Sequence, residues 1–264
     1  MNSKFVQVSN VIAILASIIF NSLVNIIPLN GVTTGEVSAQ FPNLFTPDNY
    51  VFSIWGVIYT LLIIFMFYQA RAAERNQEYL QQIGILYLLS AVFNIAWLTI
   101  FHFSSTMTEL FPLTMVPIVG LFLVLLLTYV RLGVGVKEVP RNQKLAVHLP
   151  LSVYLGWLSV ATIANTASTL NFLIPGIPTG TQEIWTALVL IVALVITLLT
   201  VYKRRDFAFG LVLVWASIGI ATKQIAVPVI LTTAIAAALI VILAIILLPI
   251  LKKKSFLDYY MVRD

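Results

Sequence analysis

The chain has 264 residues, 60% of them hydrophobic and only 9% charged, with 15 Lys and Arg against 10 Asp and Glu and a formal net charge of +5. An ordinary soluble domain is about half apolar and about a quarter charged, so this composition excludes a water-soluble fold, which would lack the charge to coat its own surface. With no Cys in the sequence, disulfides, thiolate metal sites and cysteine nucleophiles are excluded as well.

A membrane-crossing helix takes about 20 mostly apolar residues, and eight such stretches follow one another between Pro, Gly, Asn or charged punctuation. They predict an all-α polytopic membrane bundle of about eight transmembrane helices. The first, 8–27, is long enough to span by itself and is expected to be retained rather than cleaved. It repeats Ala13, Ser17, Asn21 and Asn25 every four residues, a small and polar stripe that should face protein. Segment 28–49, broken by Gly31, Gly35, Pro42 and Pro47, is too polar to span and is expected to fold over the bundle as a lid. The second span, 51–70, puts Phe52, Trp55 and Tyr59 on one face; the third, 83–103, does the same with Asn94, Trp97 and Phe101. After the fourth, 114–132, the fifth, 146–170, stacks Trp157, Ala161, Asn165 and Thr169. The sixth is 184–201. The seventh, 207–222, is short, holds Trp215, Ser217, Gly219 and Thr222, and reads equally as a re-entrant or tilted element; the eighth, 229–251, leads into a basic tail.

Lys and Arg in short loops stay on the cytoplasmic side during insertion. Lys4, Arg71 and Arg75, Arg131, Lys137, Arg141 and Lys144, Lys203, Arg204 and Arg205, and Lys252, Lys253, Lys254 and Arg263 all fall on one side of the eight-span alternation, and only Lys223 falls on the other. Both termini are therefore predicted to be cytoplasmic, in a bacterial inner membrane or a plasma membrane. Removing the seventh span would place the Lys252, Lys253 and Lys254 cluster on the wrong side, which argues for keeping it. Basic residues spread along helix ends serve as anchors to the bilayer, the expected partner, and no nucleic acid is expected. All ten carboxylates, from Glu36 to Asp206 and Asp264, fall in loops or near a terminus, which weighs against a proton-coupled pump with a mid-membrane acid. Lys223 is read as a helix-end lysine reaching the headgroups.

With that orientation Asn25, Trp55, Tyr59, Trp97, Phe101 and Asn165 fall in the outer half of the bilayer, while Asn94, Trp157 and Trp215 lie near its middle. Such a cluster has the general form of a small-molecule pocket, although interfacial anchoring and helix bridging place the same residue types in the same positions. His102 and His148 are separated by most of the bilayer and cannot share a metal, so no metal site is expected; either alone has the chemistry of a haem axial ligand. No phosphate loop, nucleophile elbow or His-Glu zinc motif is present, so phosphoryl transfer and hydrolysis have no visible machinery.

FTPDNYVFSIWGVIY (45–59), FNIAW (93–97) and YLGWLSVATIAN (154–165) resemble, in order, three motifs of the tryptophan-rich sensory protein and translocator (TspO/MBR) family. Asp48 stands in place of a second proline, 47–55 is one residue short of the usual form, and Val153 stands where a proline precedes the tyrosine. The resemblance implies a five-helix core over 1–175 with an outer loop at 28–50, and three additional helices and the tail over 176–264. It also implies a receptor or sensor that binds a hydrophobic planar molecule, a tetrapyrrole such as porphyrin or haem or a sterol-like lipid, with no resident cofactor required. Carried over residue by residue, the ligand contacts would be Trp55, Tyr59, Asn94, Trp97, Trp157 and Asn165. Two other readings compete with it: a small-molecule transporter using Gly219, Lys223 and Pro228, and a structural or partner-binding component, a homo-oligomer held by small-residue faces such as Ala13 and Ser17.

Overall fold

The computed structural model describes residues 3–74 and 77–261; Arg75, Arg263 and Asp264 lie outside the described residues. Among the described residues the chain is helical with no strand. The spanning elements are α1 (Ser3–Ile26), α3 (Ile54–Ala70), α5 (Leu86–Phe103), α6 (Met115–Arg131), α8 (Leu149–Leu173), α9 (Thr179–Arg204), α10 (Phe207–Lys223) and α11 (Pro228–Leu251). Between or after them come the short helices α2 (Thr34–Gln40), α4 (Glu78–Ile83), α7 (Arg141–Gln143) and α12 (Phe256–Met261). Among the described residues seven helical stretches are long and apolar enough to cross a bilayer, α3 and α6 by including the helical turns 49–53 and 108–114 before them, and α10 is the shorter eighth.

Polar contacts sort the helix ends into two groups. At one end Gln7 Nε2 donates to the Gln69 carbonyl at 2.6 Å and Gln69 Nε2 returns a bond to the Gln7 carbonyl at 3.2 Å, clasping the start of α1 to the end of α3. Lys137 pairs with Glu78 at 2.7 Å, Arg204 Nη1 donates to the Val134 carbonyl, and Lys144 Nζ donates to the Tyr260 carbonyl. The loops rich in Lys and Arg therefore share this end. At the opposite end Asn30 donates to Ser105 and Thr106, Asn171 to the Pro42 carbonyl, and Gln224 to the Leu44 carbonyl.

The 17 residues of α10 measure about 25 Å at 1.5 Å per residue, less than a hydrocarbon core of about 30 Å. It is a continuous helix that packs against α8, α9, α11 and the helical turn Asn49–Ser53. Most of its side chains are buried, so its ends need not reach the headgroups by themselves. Gly210 allows the close approach: a methyl there would press Val201, Ile245 and Val241. The hydrophobic core runs unbroken from Val6 of α1 to Ala234 of α11, and a second cluster joins α9, α10, α11 and α12 through Val201, Leu213, Val241 and Tyr260.

Asp206, a loop residue by sequence, is 6% exposed. It caps α10 by accepting from the Phe209 N–H at 3.1 Å, and its second oxygen accepts from Tyr129 Oη at 2.7 Å and Ser152 Oγ at 2.6 Å. One carboxyl thus ties α6, α8 and α10 together. Burial pushes its pKa above the ordinary carboxylate value, and the hydrogen bonds to Ser152, Phe209 and Tyr129 act against that rise.

Asp206→Ala, which removes a cap and strands two hydroxyls, should lower stability by about 2–4 kcal/mol, read by denaturant unfolding of the detergent-solubilised protein. A raised folded-state pKa means that folding retains a proton there, so this contribution is full below the ordinary carboxylate value and is lost as pH rises through the raised one. Relative to Asp206→Asn, the wild-type protein should lose stability across that window.

Candidate functional site

Three tryptophans from three helices meet beneath the connection between α1 and α3. Trp55 is in the first turn of α3, Trp97 lies on α5 and Trp157 on α8. Trp55 and Trp157 stand edge to face with ring centroids 6.3 Å apart, and Phe52 meets Trp157 in the same manner at 5.8 Å. Trp97 tilts against Phe101 at 5.1 Å. These geometries are the ones that the aromatic quadrupole favours. Together with Asn165, Ala161, Phe111 and Ser168 they line a cavity of about 40 Å³.

The roof is formed by the connection between the two helices: Thr34 and Ser38 of α2, then Phe41, Thr46 and Pro47. Its hydrogen bonds explain why so polar a stretch is ordered here. Thr33 caps α2, and its N–H and hydroxyl both donate to Glu36, whose carboxyl is held below the ordinary range by those bonds. Asn43 Oδ1 accepts from the N–H groups of Phe45 and Thr46, and Asn43 Nδ2 donates to Thr46 Oγ1 at 2.6 Å and Ser168 Oγ at 2.7 Å. Ser168 Oγ in turn donates to the Phe41 carbonyl. At the other edge Asp48 N–H donates to the Gly219 carbonyl of α10 at 3.0 Å, and Trp215 Nε1 donates to the Val51 carbonyl at 3.0 Å. A methyl at Gly219 would overlap Val51 and press Pro47, so only glycine lets the roof lie this close to α10.

Of the six residues singled out by sequence, Trp55, Trp97, Trp157 and Asn165 line the cavity. Asn165 Oδ1 accepts from Trp97 Nε1 at 3.3 Å and its amide donates to Thr114 Oγ1 at 2.8 Å, which fixes the Trp97 ring. Tyr59 stands beside the cavity, stacked on Trp55 at 5.6 Å. Asn94 is a helix brace: it accepts from Asn21 Nδ2 at 2.6 Å and donates to Tyr154 Oη at 3.3 Å, joining α1, α5 and α8. Trp157 Nε1 is buried and has no acceptor among the described residues. An indole N–H in that state, in the wall of a cavity, is a buried donor left to meet something else.

Both nitrogens of His102 are engaged. Nδ1 faces the Leu29 carbonyl at 3.3 Å, which requires the proton on Nδ1, and Nε2 then accepts from Thr34 Oγ1 at 3.1 Å. His102 is thereby a tether for the roof. His148 lies at the other end of the bundle, in a separate hollow of about 40 Å³ that also includes Asp206 and Ser152. The roof contacts Thr34, Ser38 and Thr46 carry no sequence signal beyond the lid reading. Ser168 and Ala164, by contrast, follow from Trp157 and Ala161 by helical spacing.

A profile of the TSPO-like protein family matches residues 7–247. No curated protein and no solved structure matches the chain.

Asn43→Ala should cost about 2–3 kcal/mol, because two roof N–H groups and Ser168 lose their partner. Hydrogen exchange of the protein in nanodiscs should show faster exchange across 34–48, with α8 as slow as in the wild type. Unchanged protection of 34–48 would show that Asn43 does not hold the roof.

Proposed function

The chain belongs to the TSPO-like family, and from the cavity beneath its roof we propose that it acts as an integral-membrane receptor for a small, flat, hydrophobic molecule. The observation that carries this reading is the convergence of Trp55, Trp97 and Trp157 on one hollow in which Trp157 Nε1 has no acceptor among the described residues. Flat faces suit a planar ring system, with stacking worth about 0.5–1.5 kcal/mol per ring pair beyond the area buried. The indole N–H calls for one acceptor atom on the ligand.

Among the described residues no charged side chain lines the cavity, which suits a neutral ligand portion there. A sterol-like lipid satisfies this outright. A tetrapyrrole does so with its carboxylates kept at the mouth and without an axial histidine, since His102 is committed to Leu29 and Thr34.

At about 40 Å³ the cavity is far below the roughly 300–1,000 Å³ of ordinary small-molecule sites. Ligand binding is therefore coupled to displacement of the roof, and a receptor whose roof moves on binding has the means to report it. The roof's tether to α10 through Asp48 and Gly219 passes that movement to the last three helices. The charge segregation at the helix ends supports the same topology as the loop rule: both termini cytoplasmic and the roof on the opposite side. The transporter reading is second, because Gly219, one of the residues it would use with Lys223 and Pro228, here seats the roof against α10.

Titration of the protein in nanodiscs with protoporphyrin IX should give saturable tryptophan quenching, matched by an absorbance change of bound porphyrin. A Trp55→Phe, Trp97→Phe, Trp157→Phe triple variant should bind at least about tenfold more weakly, equivalent to about 1.4 kcal/mol. Equal affinity in the variant, or uptake no greater than that of empty nanodiscs, would remove a tetrapyrrole from this cavity.

Because the sequence has no Cys, single cysteines report topology directly. In intact cells a membrane-impermeant maleimide should label Thr181→Cys and leave Lys252→Cys unlabelled until the cells are opened. The reverse pattern would invert the proposed orientation.

A further inference from the structure

A larger hollow lies on the far side of the 43–47 segment. It is a crevice of about 510 Å³ between α8 and α9, with Ile163, Ala167 and Leu170 on one wall, Trp185 and Val189 on the other, and Phe45 at its back. Its volume lies within the roughly 300–1,000 Å³ of small-molecule sites. The crevice opens sideways: Trp185 is 64% exposed and Leu170 49%, on helix faces that meet hydrocarbon in a bilayer. From Thr162 to Asn171 it follows α8 for about 13 Å at 1.5 Å per residue. This is a narrow apolar slot that can be reached from the lipid.

At its Asn171 end the slot passes into a second hollow of about 480 Å³ with a different lining, in which Asn171, Gln182, Gln224 and Lys223 appear. The amides are fixed in place: Asn171 Nδ2 donates to Gln182 Oε1 at 3.2 Å, Gln182 Nε2 to the Ile177 carbonyl at 2.9 Å, and Gln224 Nε2 to the Leu44 carbonyl at 3.2 Å. Lys223, at the last turn of α10, forms no ion pair among the described residues. Asp48 is the acid that acts on it through space, and Glu183 follows Gln182 on α9. Every other Lys and Arg falls in the loops or tail of the alternate set. The slot therefore has a largely apolar shaft, broken by Thr162, Thr166 and Thr186, and a polar mouth with one cation, placed at the helix ends where headgroups lie.

We propose that this crevice binds one anionic phospholipid of the surrounding bilayer, an acyl chain lying between α8 and α9 and the phosphate at the mouth formed by Lys223 and the amides. The sideways opening selects an occupant that arrives from the membrane and leaves its second chain there. The cation selects an anionic headgroup. A helix of a second copy, about 10 Å across with its side chains, would rest over the slot without filling it. The site is distinct from the tryptophan cavity, so it stands or falls independently of the receptor reading.

The test uses the full chain in phosphatidylcholine nanodiscs doped with phosphatidylglycerol that carries a diazirine in one acyl chain. Phosphatidylcholine and a free fatty acid carrying the same diazirine form the comparison arms, with adducts mapped by peptide mass spectrometry. Adducts of the phosphatidylglycerol should concentrate on 162–171 and 182–189. Ala167→Trp, which fills the shaft, should reduce them several-fold, and Lys223→Gln should reduce them to the phosphatidylcholine level while leaving that level unchanged. The proposal is overturned by any of four results: labelling no greater there than on the exposed Ile235, Leu239, Leu243 and Ile246 of α11, equal labelling by phosphatidylcholine in the wild type, stronger labelling by the fatty acid, or cross-linked dimers formed through this crevice. Thermal unfolding of both variants in the same nanodiscs shows that they are folded when they are compared.

Discussion

In a bilayer an apolar side chain gains little by leaving lipid for protein, so polar groups with no water to turn to do much of the work of fixing how these helices meet. The bundle is organised around such groups. Gln7 and Gln69 clasp α1 to α3, Asn21 and Asn94 join α1 to α5, Tyr154 extends that chain to α8, and Asp206 holds α6, α8 and α10. Single bonds of this kind are worth only about 0.6 kcal/mol on average in membrane bundles. Their force here is positional: each fixes a rotation and a depth that packing of Leu, Ile and Val against lipid-like surfaces leaves open. The tryptophan cavity inherits its shape from this frame, because Asn165 orients Trp97 while bonded to Thr114 at the start of α6.

The spans were legible because the bilayer imposes a length and a composition that no soluble helix needs. Aromatic and amide faces were legible because helical spacing puts Trp157, Ala161 and Asn165 on one side whatever the partner. Spacing could not distinguish a residue that lines a hollow from one that braces a helix, and Asn94 and Trp97, three residues apart on α5, divide in just that way. Nor could it show that Asp206 is buried, since a carboxylate between two spans looks solvated until Tyr129 and Ser152, distant in sequence, are seen to converge on it. The short seventh span looked doubtful on length alone. Its protein surroundings remove the need for length, and that information resides in the neighbours.

The departures at 47–55 acquire a physical sense from α10. A proline at position 48 has no N–H, whereas Asp48 donates one to the Gly219 carbonyl and uses its side chain to cap the turn Asn49–Ser53. Trp215 completes the contact through the Val51 carbonyl. The segment that roofs the cavity is thus adapted to a helix outside the first five, in keeping with a family profile that continues to residue 247.

The same short segment also separates the two hollows. Thr46 and Pro47 face the tryptophan cavity, while Asn43, Leu44 and Phe45 face the crevice between α8 and α9. Asn43 is common to both structures, since its amide bonds Thr46 and Ser168 while its residue lines the crevice. Packed interiors shift between discrete arrangements more readily than they deform smoothly. Any displacement of Thr46 and Pro47 therefore acts directly on the adjoining Leu44 and Phe45, which face the crevice.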